Sequence, residues 1–269
     1  MVVARFHCRD FILVHHFNQR LVEHRNLFNG QHGCHRRTDL LYHLFSHVVL
    51  GANIQIIPFP RSDKFPFMEQ WKEYKETEFG KIPNSWDVAT IKEETKVVVD
   101  YVANGSFASL AENVKYKTEE DYAVLIRLVD YKNNYNGNFV FIDKEAYEFL
   151  GKSKLFGDEI IISNVGANVG TVFKCPRLKY KMSLAPNSIM VKFKGNNDFY
   201  YYWLKSPFGQ HMLHSIVTGS AQPKFNKTNF REMSIPVPPI EIQEKIAQLL
   251  KPLDEKIEVN KQINSNLEC

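Results

Sequence analysis

The 269-residue sequence has few cysteines, no long apolar run and none of the common catalytic motifs. Its four cysteines form no CxxC pair, which argues against a disulfide-rich secreted scaffold and favours a reducing compartment. No uninterrupted apolar run of about 18 residues occurs, so we expect neither a transmembrane helix nor a membrane partner. The apolar run 11–14 is flanked by Asp10 and His15 and is too short for a signal peptide. These absences predict a cytoplasmic protein.

Enzymatic signatures are also missing. The sequence contains no Walker A motif, no GxGxxG and no GxSxG. The glycine-rich run 166–170 lies between two strand-like segments, so it predicts a turn and not a dinucleotide-binding loop. Asp87 and Glu94 match the carboxylate set of a Mg²⁺-dependent nuclease only loosely, and we keep that activity as a minor alternative. We therefore expect a chain that is not an enzyme.

Charge is distributed unevenly along the chain. Residues 1–67 hold eight basic and four acidic side chains, whereas the rest holds 26 of each and is neutral. Eight of the ten histidines also precede residue 48. This break in composition predicts a boundary near Met68. Two interpretations stay open: segment 1–67 is upstream sequence that precedes the true start, or it is a genuine basic extension rich in His and Arg.

The histidine-rich segment raises the question of a metal site. Cys34, His35, His43 and His47 are ligand types that zinc accepts. The set has no CxxC arm, and a histidine-rich window produces such spacings by chance. We therefore expect no metal ligands in this chain.

From Met68 onward the pattern predicts an α+β fold with many short strands. Lys144–Leu150 and Tyr200–Ile216 favour helices, with Pro207 splitting the second one and Asn197 or Asp198 capping it. The run Pro236–Pro239 is typical of a linker that closes the domain. Six β-rich runs separated by Asn, Gly and Lys clusters predict strands at 96–102, 122–129, 138–142, 159–164, 171–174 and 188–193.

The C-terminal segment 239–269 predicts a long helix with a heptad seam. We expect Pro252 to divide it into a short helix, 240–251, and a longer one. One interpretation is a coiled-coil-like spacer or dimerisation helix, and the other is an amphipathic helix packed on its own domain. The seam positions are spaced alternately by four and three residues: Ile246, Leu250, Leu253, Ile257, Asn260, Asn264 and Leu267.

Two polar loops, Ser163–Gly170 and Thr218–Asn229, carry the side chains best suited to nucleic acid. Asn and Gln can pair with adenine edges, and Lys can contact guanine or phosphate. The alternative is that both are ordinary solvated turns. The candidates for base or phosphate contact are Ser163, Asn164, Asn168, Gln222, Lys224 and Asn226, and the further phosphate candidates are Lys115, Lys117, Lys132 and Lys227.

Four segments resemble a known family. They read GKIPNSW at 80–86, GDEIIISNVGANVG at 157–170, TGSAQPK at 218–224 followed by IPVPPIEIQEKIA at 235–247, and LDEKIEVNKQIN at 253–264. In these segments the chain from about Met68 resembles one half of the specificity subunit of a type I restriction-modification system.

The resemblance implies a β-rich target recognition domain over 68–238 and a spacer or dimerisation helix over 239–269. It implies a non-catalytic subunit that reads one half of a bipartite site in double-stranded DNA. It also implies partners: a modification subunit that uses S-adenosylmethionine and a restriction subunit that uses ATP and Mg²⁺. This chain would bind none of those cofactors directly.

The sequence departs from the family pattern in three ways. It has one recognition domain where the family has two, its spacer helix is truncated at Cys269, and residues 1–67 match nothing in the family. The chain is therefore either a half-subunit that forms a homodimer through its C-terminal helix or a truncated relic that acts only as a helical interaction module. Because residues 68–269 are electrically neutral, we expect weak DNA affinity for the chain alone.

Overall fold

The computed structural model describes residues 73–267, which form short strands and helices in alternation. The segment 1–67 and its Cys and His residues lie outside the described residues. The strands are β1 Tyr74–Thr77, β2 Gly80–Pro83, β3 Asp87–Thr90, β4 Thr95–Asp100, β5 Ala123–Ile126, β6 Val140–Ile142, β7 Lys154–Leu155, β8 Ile160–Ser163, β9 Val172–Lys174, β10 Lys181–Leu184, β11 Ser188–Phe193 and β12 Ser234–Val237. The helices are α1 Ile91–Glu94, α2 Phe107–Asn113, α3 Leu128–Lys132, α4 Lys144–Phe149, α5 Asn197–Lys205, α6 Pro207–Ser215, α7 Lys227–Glu232 and α8 Ile240–Leu267.

Two four-stranded sheets organise the core of the described region. Their strand orders are β6-β5-β10-β7 and β4-β11-β8-β9, and β5 pairs with β10 in parallel. Because strand side chains alternate between faces, Val124 and Ile126 of β5 join a cluster with Ile161 of the second sheet. Ala123 and Leu125 point the other way, into a cluster formed with α2 and α4. The first sheet is therefore covered on both faces, as its continuous apolar strand β5 requires.

All six expected strands occur, with ends shifted by up to three residues. The split at Pro207 is also confirmed, because α5 ends at Lys205 and Pro207 occupies the first turn of α6. The cap is Asn196, however, and not Asn197 or Asp198, because its side-chain oxygen accepts from the Phe199 N–H at 3.0 Å.

The prediction of a linker at Pro236–Pro239 is wrong. Pro236 lies in β12, which pairs antiparallel with β3 in a two-stranded sheet. Such an edge position tolerates proline, because no neighbouring strand needs its missing N–H. The long helix α8 begins directly after Pro239.

Helix α8 is continuous, so the expected division at Pro252 is also wrong. Its first half is anchored by burial of Ile246 and Leu250, which are 5% and 3% exposed. Beyond Pro252 the helix leaves the core, since Leu253 is 39% exposed and Ile263 is 50% exposed. We infer that burial on one side of the proline offsets the hydrogen bond that the proline removes.

Candidate nucleic-acid interface

The first polar loop, 163–170, is a tight connection between the paired strands β8 and β9. The Ser163 N–H donates to the Thr171 carbonyl at 2.9 Å, and the Gly170 N–H donates to the Ser163 carbonyl at 2.8 Å. Gly166 has φ +91° and Gly170 has φ +88°, a conformation that favours glycine. The loop geometry is therefore fixed by the backbone, and Asn168 remains exposed at its turn.

The second polar loop, 218–229, closes on itself before α7 begins. Thr218 and Lys224 exchange two backbone hydrogen bonds of 2.8 and 2.9 Å, with Gly219 at φ +86° between them. Asn226 then caps α7, because its side-chain oxygen accepts from the Asn229 N–H at 2.7 Å. Gln222 is exposed in the turn and Lys224 is exposed at its end.

The fold joins these two loops through residues that lie about 60 positions apart in the sequence. Val165 and Lys224 form an antiparallel β-bridge. The Gly166 N–H donates to the Pro223 carbonyl at 2.8 Å. Asn164 makes two hydrogen bonds at the same junction. Its backbone carbonyl accepts from the Phe225 N–H at 3.1 Å, and its Nδ2 donates to the Phe225 carbonyl at 3.0 Å. The two loops thus form one surface, which we call the joined-loop surface.

A cleft of about 660 Å³ opens beside the joined-loop surface. Four of the predicted contact residues line this cleft: Asn164, Lys224, Asn226 and Lys227. Sequence reasoning missed two aromatic residues that also line this cleft, Phe107, which is 81% exposed, and Tyr116, which is 56% exposed. Phe107 starts α2 directly after its cap Ser106. A helix-capping serine followed by an aromatic residue was the one available signal.

The five predicted phosphate-contacting lysines differ in their partners. In the described part of the chain no carboxylate forms a salt bridge with Lys224, which is an exposed residue. The Lys132 Nζ donates to Asn168 Oδ1 at 2.6 Å, which places it beside the first loop. The Lys115 Nζ donates to the Ala111 carbonyl at 2.5 Å, next to the cleft.

The other two lysines are engaged by acids. Lys117 lies 2.5 Å from Asp121 and 3.4 Å from Asp143, and the hydrogen bond that its ammonium group donates to Asp121 raises the pKa of Lys117. Lys227 lies 3.0 Å from Asp100 on the cleft wall. Their positive charge is partly neutralised, so they are weaker candidates for phosphate than Lys224.

Burial removes Ser163 from the set of expected DNA contacts. It is 3% exposed and forms the last residue of β8, where its backbone pairs with Ser188 of β11. Sequence reasoning placed the polar loop one residue too early. Asn164 is half-buried, and its amide group supports the loop junction.

Burial also divides the seam predicted for the helix interface. Ile246 and Leu250 are buried within this chain and are not accessible to a partner helix. Leu253, Asn260 and Asn264 are exposed, and Ile257 is half-buried. The side chain of Leu267 lies outside the described residues. The self-packed interpretation therefore holds for the part of the helix before Pro252. The spacer or dimerisation interpretation stays a prediction for the exposed part beyond it.

The described residues offer no cluster of three or more His, Cys, Asp or Glu side chains that could hold a metal ion. Asp87 is exposed in β3 and lies 3.8 Å from Lys75. Among residues 73–267, no helix is long and apolar enough to cross a membrane.

Comparisons with known proteins agree with the sequence resemblance. The chain is 29% identical over 210 residues to the type I restriction enzyme MjaIX specificity subunit of Methanocaldococcus jannaschii, covering 74% of this chain and 45% of the relative. It is 26% identical over 200 residues to the putative MjaX specificity subunit of the same organism, covering 73% and 43%. The chain thus spans under half the length of these curated relatives.

A solved HsdS subunit from Thermoanaerobacter tengcongensis aligns with 13% identity and a TM-score of 0.45, covering 70% of this chain and 42% of that chain. The family model described as the type I restriction modification DNA specificity domain matches residues 68–269, well over half of the sequence. The chain belongs to this family.

Proposed function

We propose that this chain recognises one half of a bipartite site in double-stranded DNA as a specificity subunit of a type I restriction-modification complex. The observation that carries the proposal is the joined-loop surface. Two loops distant in sequence meet through the Val165–Lys224 bridge, and both carry exposed amide or ammonium groups. These groups are the donors and acceptors that read base edges and neutralise phosphates.

Within this proposal the residues have different tasks. Asn168 and Gln222 are exposed at the two turns and are the base-reading candidates. Lys224, Lys132 and Lys115 are the phosphate candidates, because no acid neutralises them in residues 73–267. Phe107 adds an exposed apolar group that suits contact with a thymine methyl group.

The chain alone should bind DNA weakly, because residues 68–269 carry no net charge. High affinity would come from a modification subunit that closes around the duplex. That subunit would use S-adenosylmethionine, and a restriction subunit would use ATP and Mg²⁺. The role of this chain is non-catalytic recognition in the cytoplasm, over a recognition domain at 68–238.

The distal part of α8 is the proposed coiled-coil spacer and homodimer contact. Leu253, Ile257, Asn260 and Asn264 continue the heptad after the helix leaves the core. Asparagine in such a seam lowers stability but fixes register and partner. A two-fold homodimer would read a palindromic pair of half-sites with a fixed gap. The second candidate, a relic that acts only as a helical interaction module, is favoured by the same exposed helix face.

A methylome map tests the proposal. The full chain is co-expressed with its modification subunit in a host without adenine methylation, and methylated adenines are sequenced. A palindromic bipartite motif is expected for the homodimer, and an asymmetric motif would mean that a different recognition domain completes the site. Absence of methylation with both proteins soluble would support the helical-module candidate and overturn the proposal.

A further inference from the structure

The joint between α8 and the recognition domain is built around one buried side chain, Gln243. Gln243 lies in the first turn of α8 and is 3% exposed. Its Nε2 donates to the Pro238 carbonyl at 2.8 Å, and its Oε1 accepts from the Asn196 N–H at 2.9 Å. Both partners are backbone atoms, so the contacts fix the position of the helix and do not depend on flexible side chains.

The two backbone partners belong to different parts of the fold. Pro238 follows β12, and Asn196 is the residue that caps α5. One amide group therefore ties the long helix to the end of a strand and to the start of a second helix. A side chain that bonds at both ends restrains rotation about its own helix axis as well as tilt.

Gly195 makes this close contact sterically possible. A Cβ built on Gly195 would lie 2.5 Å from Gln243 Oε1 and 3.2 Å from its Cδ. A real Cβ does not approach an oxygen so closely, and any larger residue at 195 would push the amide group away. Gly195 and Gln243 thus form a matched pair, and Ile246 and Leu250 seal the helix further along.

The helix acts as a lever on this joint. About 24 residues follow Gln243 in α8, and at about 1.5 Å per residue they extend roughly 36 Å. A tilt of about 10° at the joint would move the far end by roughly 6 Å, close to two base-pair steps of about 3.4 Å. A loose joint would therefore change the gap between half-sites without changing the bases that are read.

We propose that Gln243, seated against Gly195, is a positioning residue that sets the gap length of the bipartite DNA site by fixing the angle between α8 and the recognition domain. This inference rests on the proposed function. It predicts that the half-site bases and the gap between them are controlled by separate residues, with the bases read by the joined-loop surface and the gap set by the joint.

The test is the methylome assay with three variants of the full chain. Gln243→Met keeps the length and apolar volume of the side chain but removes both hydrogen bonds. Gly195→Ala disturbs the same amide group from the opposite side. Gln248→Ala is the matched control, because Gln248 is an exposed glutamine on the same helix.

We expect Gln243→Met and Gly195→Ala to increase methylation at sites whose gap is one base pair longer or shorter. The increase over the wild type should be at least about tenfold, and the half-site bases should stay the same. Gln248→Ala should match the wild type. Off-gap methylation within twofold of the control, in both joint variants, would overturn the inference. If the wild-type chain itself directs no methylation, that result contradicts the proposed function, and the distance measurement below tests the role of Gln243.

A distance measurement on the chain alone covers the case in which a joint variant directs no methylation. Spin labels are placed at the exposed positions Glu112 in α2 and Lys256 in α8, with Cys8, Cys34 and Cys269 replaced by serine and the buried Cys175 retained. Double electron–electron resonance should give a distance distribution at least twice as broad in Gln243→Met as in Gln248→Ala. Equal widths would overturn the inference, whatever the thermal stability of the variants.

Discussion

The two halves of α8 share one heptad seam but lie in different surroundings. Before Pro252 the seam residues Ile246 and Leu250 are buried in the chain's own core. After it, Leu253 is 39% exposed and Asn260 and Asn264 are exposed as well. A heptad pattern therefore indicates a helix with one apolar stripe, but it does not say whether the chain itself or a partner covers that stripe.

The lysines of the recognition domain show the same contrast. Lys117 is held by Asp121 and Asp143 within the chain, whereas Lys224 has no acidic partner among residues 73–267. Groups that are already paired stabilise the domain, and groups that are left exposed are those through which it can recognise another molecule. Four predictions sharpen or break this distinction.

Alanine substitution of the two neighbouring seam leucines should give the largest change in the free energy of unfolding, and the two substitutions should differ strongly in that change. Leu250→Ala should lower the free energy of unfolding by about 2–5 kcal/mol, because it leaves a cavity in a packed site. Leu253→Ala should lower it by less than about 1 kcal/mol, because much of that side chain is already in water. Urea denaturation of both variants measures the difference, and equal losses would contradict the division of the helix at this point.

Replacement of Pro252 should stabilise the distal half of α8. Alanine restores a backbone N–H inside the helix and removes the proline clash. The free energy of helix formation should therefore become more favourable by about 1–3 kcal/mol. Hydrogen exchange of the amides in 253–267 should slow accordingly, with little change in the strands of the core. Unchanged exchange there would mean that the proline costs this helix nothing.

Loss of the Lys224 charge should weaken binding to all DNA sequences alike. In the complex with the modification subunit, Lys224→Ala should reduce the slope of log affinity against log salt by about 1, as expected for one phosphate contact. A salt titration measures this, with Lys152→Ala as the control, because Lys152 is an exposed lysine that belongs to neither loop and does not line the cleft. An unchanged slope would remove Lys224 from the phosphate contacts.

Loss of the Lys117 charge should have the smallest effect on DNA binding, because two acids already engage it. Lys117→Gln should leave the salt slope unchanged. The pKa of Asp121 is lowered chiefly by the hydrogen bond from Lys117, so this pair stabilises the fold at neutral pH and is lost as pH falls below about 4 through the lowered pKa. The variant should therefore be less stable than the wild type at neutral pH, and this difference should disappear as pH falls through the lowered pKa of Asp121. A reduced salt slope would show that Lys117 contacts phosphate after all.

Local features of the fold could be predicted from the sequence. The run Ser188–Phe193 forms a strand with the expected ends, and Pro207 ends one helix and begins the next. Both depend on nearby residues alone. Pro236 misled the prediction, since a proline suits a loop or an edge strand equally well and only the pairing with β3 decides between them.

The candidate site was predictable only in its parts. The sequence indicated both polar loops, because their Asn, Gly and Lys content is local. Their junction depends on hydrogen bonds between Asn164 and Phe225, which are 61 positions apart, and no local pattern encodes that contact. The burial of Ser163 and the exposure of Phe107 likewise follow from tertiary packing.

The most direct test of the central claim, that two distant loops form one reading surface, is a methylome comparison of Asn168→Ala and Gln222→Ala. Each variant removes one exposed amide, and each belongs to a different loop. Both variants are expected to relax base preference at positions within the same half-site, with the gap unchanged and a loss of about 1–3 kcal/mol for each base contact. Motifs identical to the wild type in both variants, or relaxation that alters the gap and leaves the half-site intact, would contradict it.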